Sequence, residues 1–145
     1  MSIDTTALRS RLRGLSATLK KNDEQQRELR MEQLEQLRTA LAHRGTISEA
    51  ARASGLSRAY LHKIELHLQR GSVDAPEIHA AALARAEEIR RQIAKLEQKA
   101  VDARAERDGI IRELGPAMST ADIAADAGIT GERARIILQE TAVGA

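Results

Sequence analysis

The sequence predicts an all-α protein with two small helix-turn-helix units joined by a long coiled-coil-like helix. Three observations carry that expectation. A stripe from Ala82 to Leu114 advances in alternating steps of four and three residues, the spacing of a coiled-coil seam. Two stretches, 46–65 (TISEAARASGLSRAYLHKIE) and 119–140 (STADIAADAGITGERARIILQE), share one layout. Each has a short Ala-rich segment, a turn glycine (Gly55 or Gly128) and a second short amphipathic segment. Finally, the apolar content is dominated by Ala, Leu and Ile, with Phe, Trp and Cys absent and Tyr60 the only aromatic residue. Helices packed through small aliphatic side chains suit that composition better than a thick globular core.

Taken in order, Leu8, Leu12, Leu15 and Leu19 form one helical stripe, with Arg9, Arg11, Arg13, Lys20 and Lys21 between them. This predicts a basic amphipathic helix over 1–22, capped by Asp4 or Thr5. The stripe turns polar at Lys21-Asn22-Asp23, where a break is expected. A second helix follows over about 23–43, carrying Leu29, Met31, Leu34, Leu37 and Leu41 and stopped by Gly45. With the first motif it makes a head over 23–71. Residues 70–76 (RGSVDAP) have linker chemistry, and Pro76 suits the first turn of a helix. Linker and long heptad helix together cover 72–115, and a second head covers 116–145.

The long stripe reads Ala82, Ala86, Ile89, Ile93, Leu96, Ala100, Ala103, Arg107, Ile110 and Leu114. A helix over 77–114 is about 55–60 Å long at 1.5 Å per residue, so its seam needs a partner. Two partners are open: the same helix of a second chain, or the N-terminal helices of this one. The expectation is a homodimer through the 77–114 helix.

The formal net charge of +2 is unevenly spread. Residues 1–44 carry nine Lys/Arg against six Asp/Glu, and residues 45–71 carry four against two. Residues 72–115 carry eight against nine, and residues 116–145 two against four. A basic front attracts a polyanion; an acidic tail does not. No run approaches the roughly 18 apolar residues of a membrane span, and the first 15 residues lack the apolar core of a secretory signal. The absence of cysteine suits a reducing compartment. A cytoplasmic, nucleoid-associated location without membrane contact is expected.

A helix-turn-helix needs a small residue where its helices cross, a glycine in the turn and apolar residues to clamp the crossing. In the first copy these are Ala51, Gly55 and the set Ala50, Leu56, Leu61 and Ile64. Residues 32–68 resemble the DNA-binding domain of the Fis and NtrC-type regulators. There a leucine-rich helix leads through a short turn to an Ala-rich helix and then to G-[LI]-S-R-x-x-L-[YH]-x-[KR]-[IL]. The matching residues here are Ala50, Ala51, Gly55, Leu56, Ser57, Arg58, Leu61, Lys63 and Ile64. The turn before Thr46 is shorter than the family's.

The resemblance implies that the helix over 57–68 enters the major groove of double-stranded DNA. Ser57, Arg58, His62 and Lys63 would face outward. Arg58 is then suited to a bidentate guanine contact, Lys63 to phosphate or base, and Ser57 to a phosphate at the helix start. Tyr60 would pack on the sugar–phosphate backbone or the core edge, and Thr46 at the start of the preceding helix joins the expected DNA-binding set.

In the second copy Ala124 crosses and Gly128 turns, clamped by Ile123, Ala127, Ile129, Ala134 and Ile137. Residues 108–140 resemble the helix-turn-helix of sigma-factor region 4 and of small phage and plasmid regulators. That implies an outward face of Thr130, Arg133, Arg135 and Gln139. Asp122, Asp126, Glu132 and Glu140 are expected to crowd the phosphate face, against DNA affinity. DNA contact and a protein partner for this second head both stand open.

No catalytic set emerges, and no enzyme is expected. The four histidines, His43, His62, His67 and His79, lack metal-ligand spacing, and there is no glycine-rich phosphate loop. Neither a cofactor nor a metal is expected. The functional expectation is a sequence-specific transcription regulator, a dimeric repressor of phage or mobile-element type. Two alternatives are an architectural, partition or DNA-packaging protein resembling a small terminase subunit, and an adaptor whose heads bind protein.

Overall fold

The computed structural model describes residues 4–43, 46–63 and 75–143. Among them the chain is all-α, without a strand. The helices are α1 (Thr5–Ala42), α2 (Ile47–Ser54), α3 (Arg58–Lys63), α4 (Pro76–Leu114), α5 (Thr120–Ala127) and α6 (Gly131–Val143). Gly45, Ile64, the remainder of the expected reading helix to residue 68, His67 and linker residues 70–74 lie outside the described residues. The chain divides into two compact units, residues 1–23 with 98–145 and residues 24–97. Both long helices contribute to each unit.

The helix α1 starts where Asp4 Oδ1 accepts the Ala7 amide at 3.1 Å, an N-terminal cap. It does not break at Lys21-Asn22-Asp23 as the polar residues suggest, but runs unbroken for 38 residues. The reason is that Asn22 continues the step of three from Leu19, so the stripe turns polar without leaving its face. Asn22 is 6 % exposed and Gln33 fully buried. Both amides are engaged, Gln33 through Nε2 to the Ala86 carbonyl at 3.1 Å. A buried amide with partners is tolerated where an unpartnered one is not.

In the unit of residues 24–97, the second part of α1 lies against the first part of α4. Glu32 accepts from Arg85 at 2.9 and 2.7 Å, and the Ala40 carbonyl faces His79 Nδ1 at 3.2 Å. Partner numbers fall along α4 as they rise along α1, so the two segments run antiparallel. The core joins Leu37 and Leu41 of α1, Ala50 and Ala53 of α2, Leu61 of α3 and Ala86 of α4. In the unit of residues 1–23 and 98–145, Leu12 and Leu15 share a core with Ala103, Ile110, Ile111 and Leu114 of α4 and with Ile123, Ala127 and Ile137.

These cores correct the expected dimer seam. Ala82, Ala86, Ile89 and Ile93 are buried in one unit, and Ala100, Ala103, Arg107, Ile110 and Leu114 in the other. In both cases α1 and the short helices of the same chain share the core with α4, so these residues are covered without a second copy, and Leu96 between them is half-buried. Alanines along the stripe allow the close helix approach that such a pairing needs. Arg107, the one charged member, is 8 % exposed and bonds Asp108 at 2.9 Å. No described helix is long and apolar enough to cross a membrane.

Candidate nucleic-acid interface

The described part of the first motif is two short helices about a glycine turn. Thr46 is the N-cap of α2, and its hydroxyl accepts the Glu49 amide at 3.2 Å while Glu49 Oε1 accepts the Thr46 amide at 3.1 Å. This reciprocal box satisfies two free donors at the helix start, and it commits the Thr46 hydroxyl to the fold. The helix ends at Gly55, whose φ of 75° is the left-handed region glycine favours. The Gly55 amide donates to the Ala51 carbonyl at 2.9 Å. Ser54 adds a bond from its hydroxyl to the Ala50 carbonyl at 2.7 Å and accepts the Leu56 amide. After the turn, the Ser57 hydroxyl accepts the Tyr60 amide at 3.0 Å and so caps α3.

The core side of this unit is Ala50 and Leu61, both fully buried, with Ala51 and Leu56 half-buried against them. The opposite side of α3 is open. Ser57, Arg58, Tyr60, His62 and Lys63 are all exposed. The side chains of Arg58, His62 and Lys63 have no hydrogen-bond or ion-pair partner among the described residues. Among the described residues, then, a cationic face without partners flanks the buried Leu61.

Behind α2, His79 of α4 reaches Glu49 Oε2 with Nε2 at 3.0 Å while its Nδ1 faces the Ala40 carbonyl. Partial burial pushes the Glu49 carboxyl up, but hydrogen bonds from His79 and from the Thr46 hydroxyl and amide outweigh it, leaving a net displacement below the ordinary carboxylate range. One carboxylate thus serves both the α2 cap and the tie to α4.

The second motif repeats the design. Ser119 caps α5 by accepting the Asp122 amide at 3.2 Å, Gly128 turns with φ 67°, and the Thr130 hydroxyl accepts the Arg133 amide at 3.1 Å. Ile123, Ala134 and Ile137 are fully buried, and Ala124 and Ala127 nearly so. Thr130, Arg133, Arg135 and Gln139 are exposed. Arg135 is held by Glu132 one turn earlier, while the Arg133 side chain has no partner among the described residues.

Of the four acidic residues, Asp122, Glu132 and Glu140 are exposed and Asp126 is not. Asp126 does not crowd an outer face; it is 8 % exposed and bonded by Arg9 at 2.6 Å and Arg13 at 3.0 Å. The hydrogen bond from Arg9 leads in holding its carboxyl below the ordinary range; burial opposes, and Arg13 adds to the lowering. Glu140 lies 3.7 Å from Arg112. The basic stripe of α1 is likewise spent largely inside its unit, since Arg11 is bonded to Glu106 at 2.7 Å. The signal for Asp126 was present in the sequence. It stands between Ala124 and Ala127, one helical turn after Ile123, on the face the periodicity buries.

Among the described residues no group of three or more His, Asp or Glu could hold a metal ion. Comparison with protein-family models, curated proteins and solved structures finds no match.

Proposed function

We propose that this chain is a sequence-specific double-stranded DNA-binding protein that regulates transcription, reading the major groove with the helix that begins after Ser57. One observation carries the reading. The outer side of α3 gathers Ser57, Arg58, Tyr60, His62 and Lys63 in solvent, its cations without a partner among the described residues, while Leu61 anchors the other side in the core. A fold that needed these cations for stability would pair them, as it pairs Arg9, Arg11 and Arg85. Arg58 offers a planar fork matched to a guanine edge, and Lys63 a compact charge for phosphate. The Ser57 hydroxyl already accepts an amide, and its own proton remains available to a phosphate oxygen. Repression by occupancy of a site is the mode proposed. Pairing of chains through the 77–114 helix is not part of the proposal, because α1 covers that seam.

The test is fluorescence anisotropy of the full chain with duplexes enriched from a random pool, against Arg58→Ala and Lys63→Ala. Arg58→Ala is expected to weaken the enriched site about five- to a hundredfold and to relax preference at one position. Lys63→Ala lowers affinity across all sequences and reduces the salt slope by about one. Unchanged helicity by circular dichroism keeps the comparison clean. Wild-type affinity in both variants would overturn the site. Uniform binding without an enriched site would point instead to an architectural or packaging role.

A further inference from the structure

In the unit of residues 1–23 and 98–145, a cleft of about 450 Å³ opens beside the Gly128 turn, lined by Ser16, Lys20, Asp23, Arg104 and Arg107. Gly128 fits against α1 closely enough that a Cβ there would lie 2.3 Å from Ser16 Oγ. Arg107 is spent on Asp108. Lys20 and Arg104 are exposed, and neither has a hydrogen-bond or ion-pair partner among the described residues.

The other turn glycine makes the comparison. The cleft beside Gly55 is about 230 Å³ and also has two cations, Arg30 and Arg90, with Glu97. There the cations are committed: Arg90 donates to the Arg52 carbonyl at 3.1 Å, and Arg30 to Gln33. The fold therefore closes a glycine turn with its cations tied down, yet beside Gly128 it leaves twice the space and two cations unused.

We propose that the cleft beside Gly128 binds a phosphate group, either a backbone phosphodiester of duplex DNA or the phosphomonoester of a small organic ligand. Lysine supplies a point charge, arginine a fork of donors, and Ser16 a hydroxyl, the mixture that serves phosphate oxygens. With Asp108 set against Arg107 and Asp23 against one of the free cations, one positive charge remains over, enough for a phosphodiester. Leu19 and Ile129 add an apolar wall for the carbon skeleton of the ligand. The site stands apart from the α3 reading, since none of its residues belongs to the unit that carries α3.

The test follows the amide resonances of Gly128 and Ile129 in the ¹⁵N-labelled full chain. Two probes are titrated at fixed ionic strength: inorganic phosphate, and a 20-base-pair duplex of arbitrary sequence. The duplex arm uses the Arg58→Ala/Lys63→Ala background, so contact through α3 does not confuse it. Saturable shifts with either probe are expected, with affinity falling at least about tenfold in Lys20→Ala/Arg104→Ala while other resonances stay in place. A response to duplex alone assigns the DNA backbone as the source, and a response to phosphate alone assigns a small ligand. No saturable shift with either probe, the same shift with sodium chloride, or full binding by the double variant overturns the site.

Discussion

One methyl group, added at two glycines of the same unit, should change stability in opposite directions. Gly128 has a φ of +67°, and a Cβ there would lie 2.3 Å from Ser16 Oγ. Left-handed backbone costs an L-residue about 1–2 kcal/mol, and turning the Ser16 hydroxyl away adds roughly 0.5–1 kcal/mol. Gly128→Ala should therefore destabilise by about 1.5–3 kcal/mol. Gly109 lies within α4, and a Cβ there meets nothing within 4 Å. Gly109→Ala removes only the entropic handicap of glycine in a helix and should stabilise by about 0.5–1 kcal/mol. With an unfolding entropy of roughly 0.3 kcal/mol/K for a chain this size, the midpoints should move by about −5 to −10 °C and +2 to +3 °C. Urea and thermal unfolding followed at 222 nm measure both. A Ser16→Ala background should return the contact part of the Gly128→Ala loss and leave the backbone part. Equal stabilities for the two single variants, or a loss at Gly109, would falsify the turn geometry.

The other expected outcomes concern the core and two carboxylates. Leu61→Ala empties a fully buried site in the unit that carries α3; a loss of about 2–4 kcal/mol by urea unfolding is expected, with DNA affinity falling in step. Asp126 has its carboxyl held below the unfolded value, chiefly by the bond from Arg9. Its contribution is complete above the ordinary carboxylate range and is lost as pH falls below that range to the lowered value the group has in the folded chain, so Asp126→Asn should be less stable than wild type near neutrality and show a flatter acid limb. An acid limb identical to wild type counts against the buried bridge. Glu49, also displaced downward, follows the same sign. In His79→Ala the stability lost between neutral and acid pH should shrink, because one of the bonds lowering the Glu49 carboxyl is gone.

Much of the architecture was legible because it rests on interactions within a few residues. The 4–3 stripe from Ala82 to Leu114 marks a long helix whatever covers it. Asp4 marks the start of α1 through a hydrogen bond that spans three positions, and the caps at Thr46, Ser57, Ser119 and Thr130 act over the same span. Gly55 and Gly128 mark the turns because only glycine takes a positive φ without penalty. What misled was polarity read as exposure. Asn22 looked like a break and is buried in the stripe; Asp126 looked like a surface repeller and lies beneath two arginines.

Local chemistry, then, marked the helical stretches and the two glycine turns, although it split α1 in two at Lys21-Asn22-Asp23, and it singled out α3 as the more basic of the two second helices. Tertiary structure alone decided what closes the long apolar stripe and which charges remain free. A periodic seam states that a partner is required but not which one, since a second chain or a folded-back α1 bury it equally well. Likewise a cation is available to a ligand only if no distant carboxylate has taken it. Arg9 and Arg13 lie more than a hundred positions from Asp126, so that outcome depends on which helices meet.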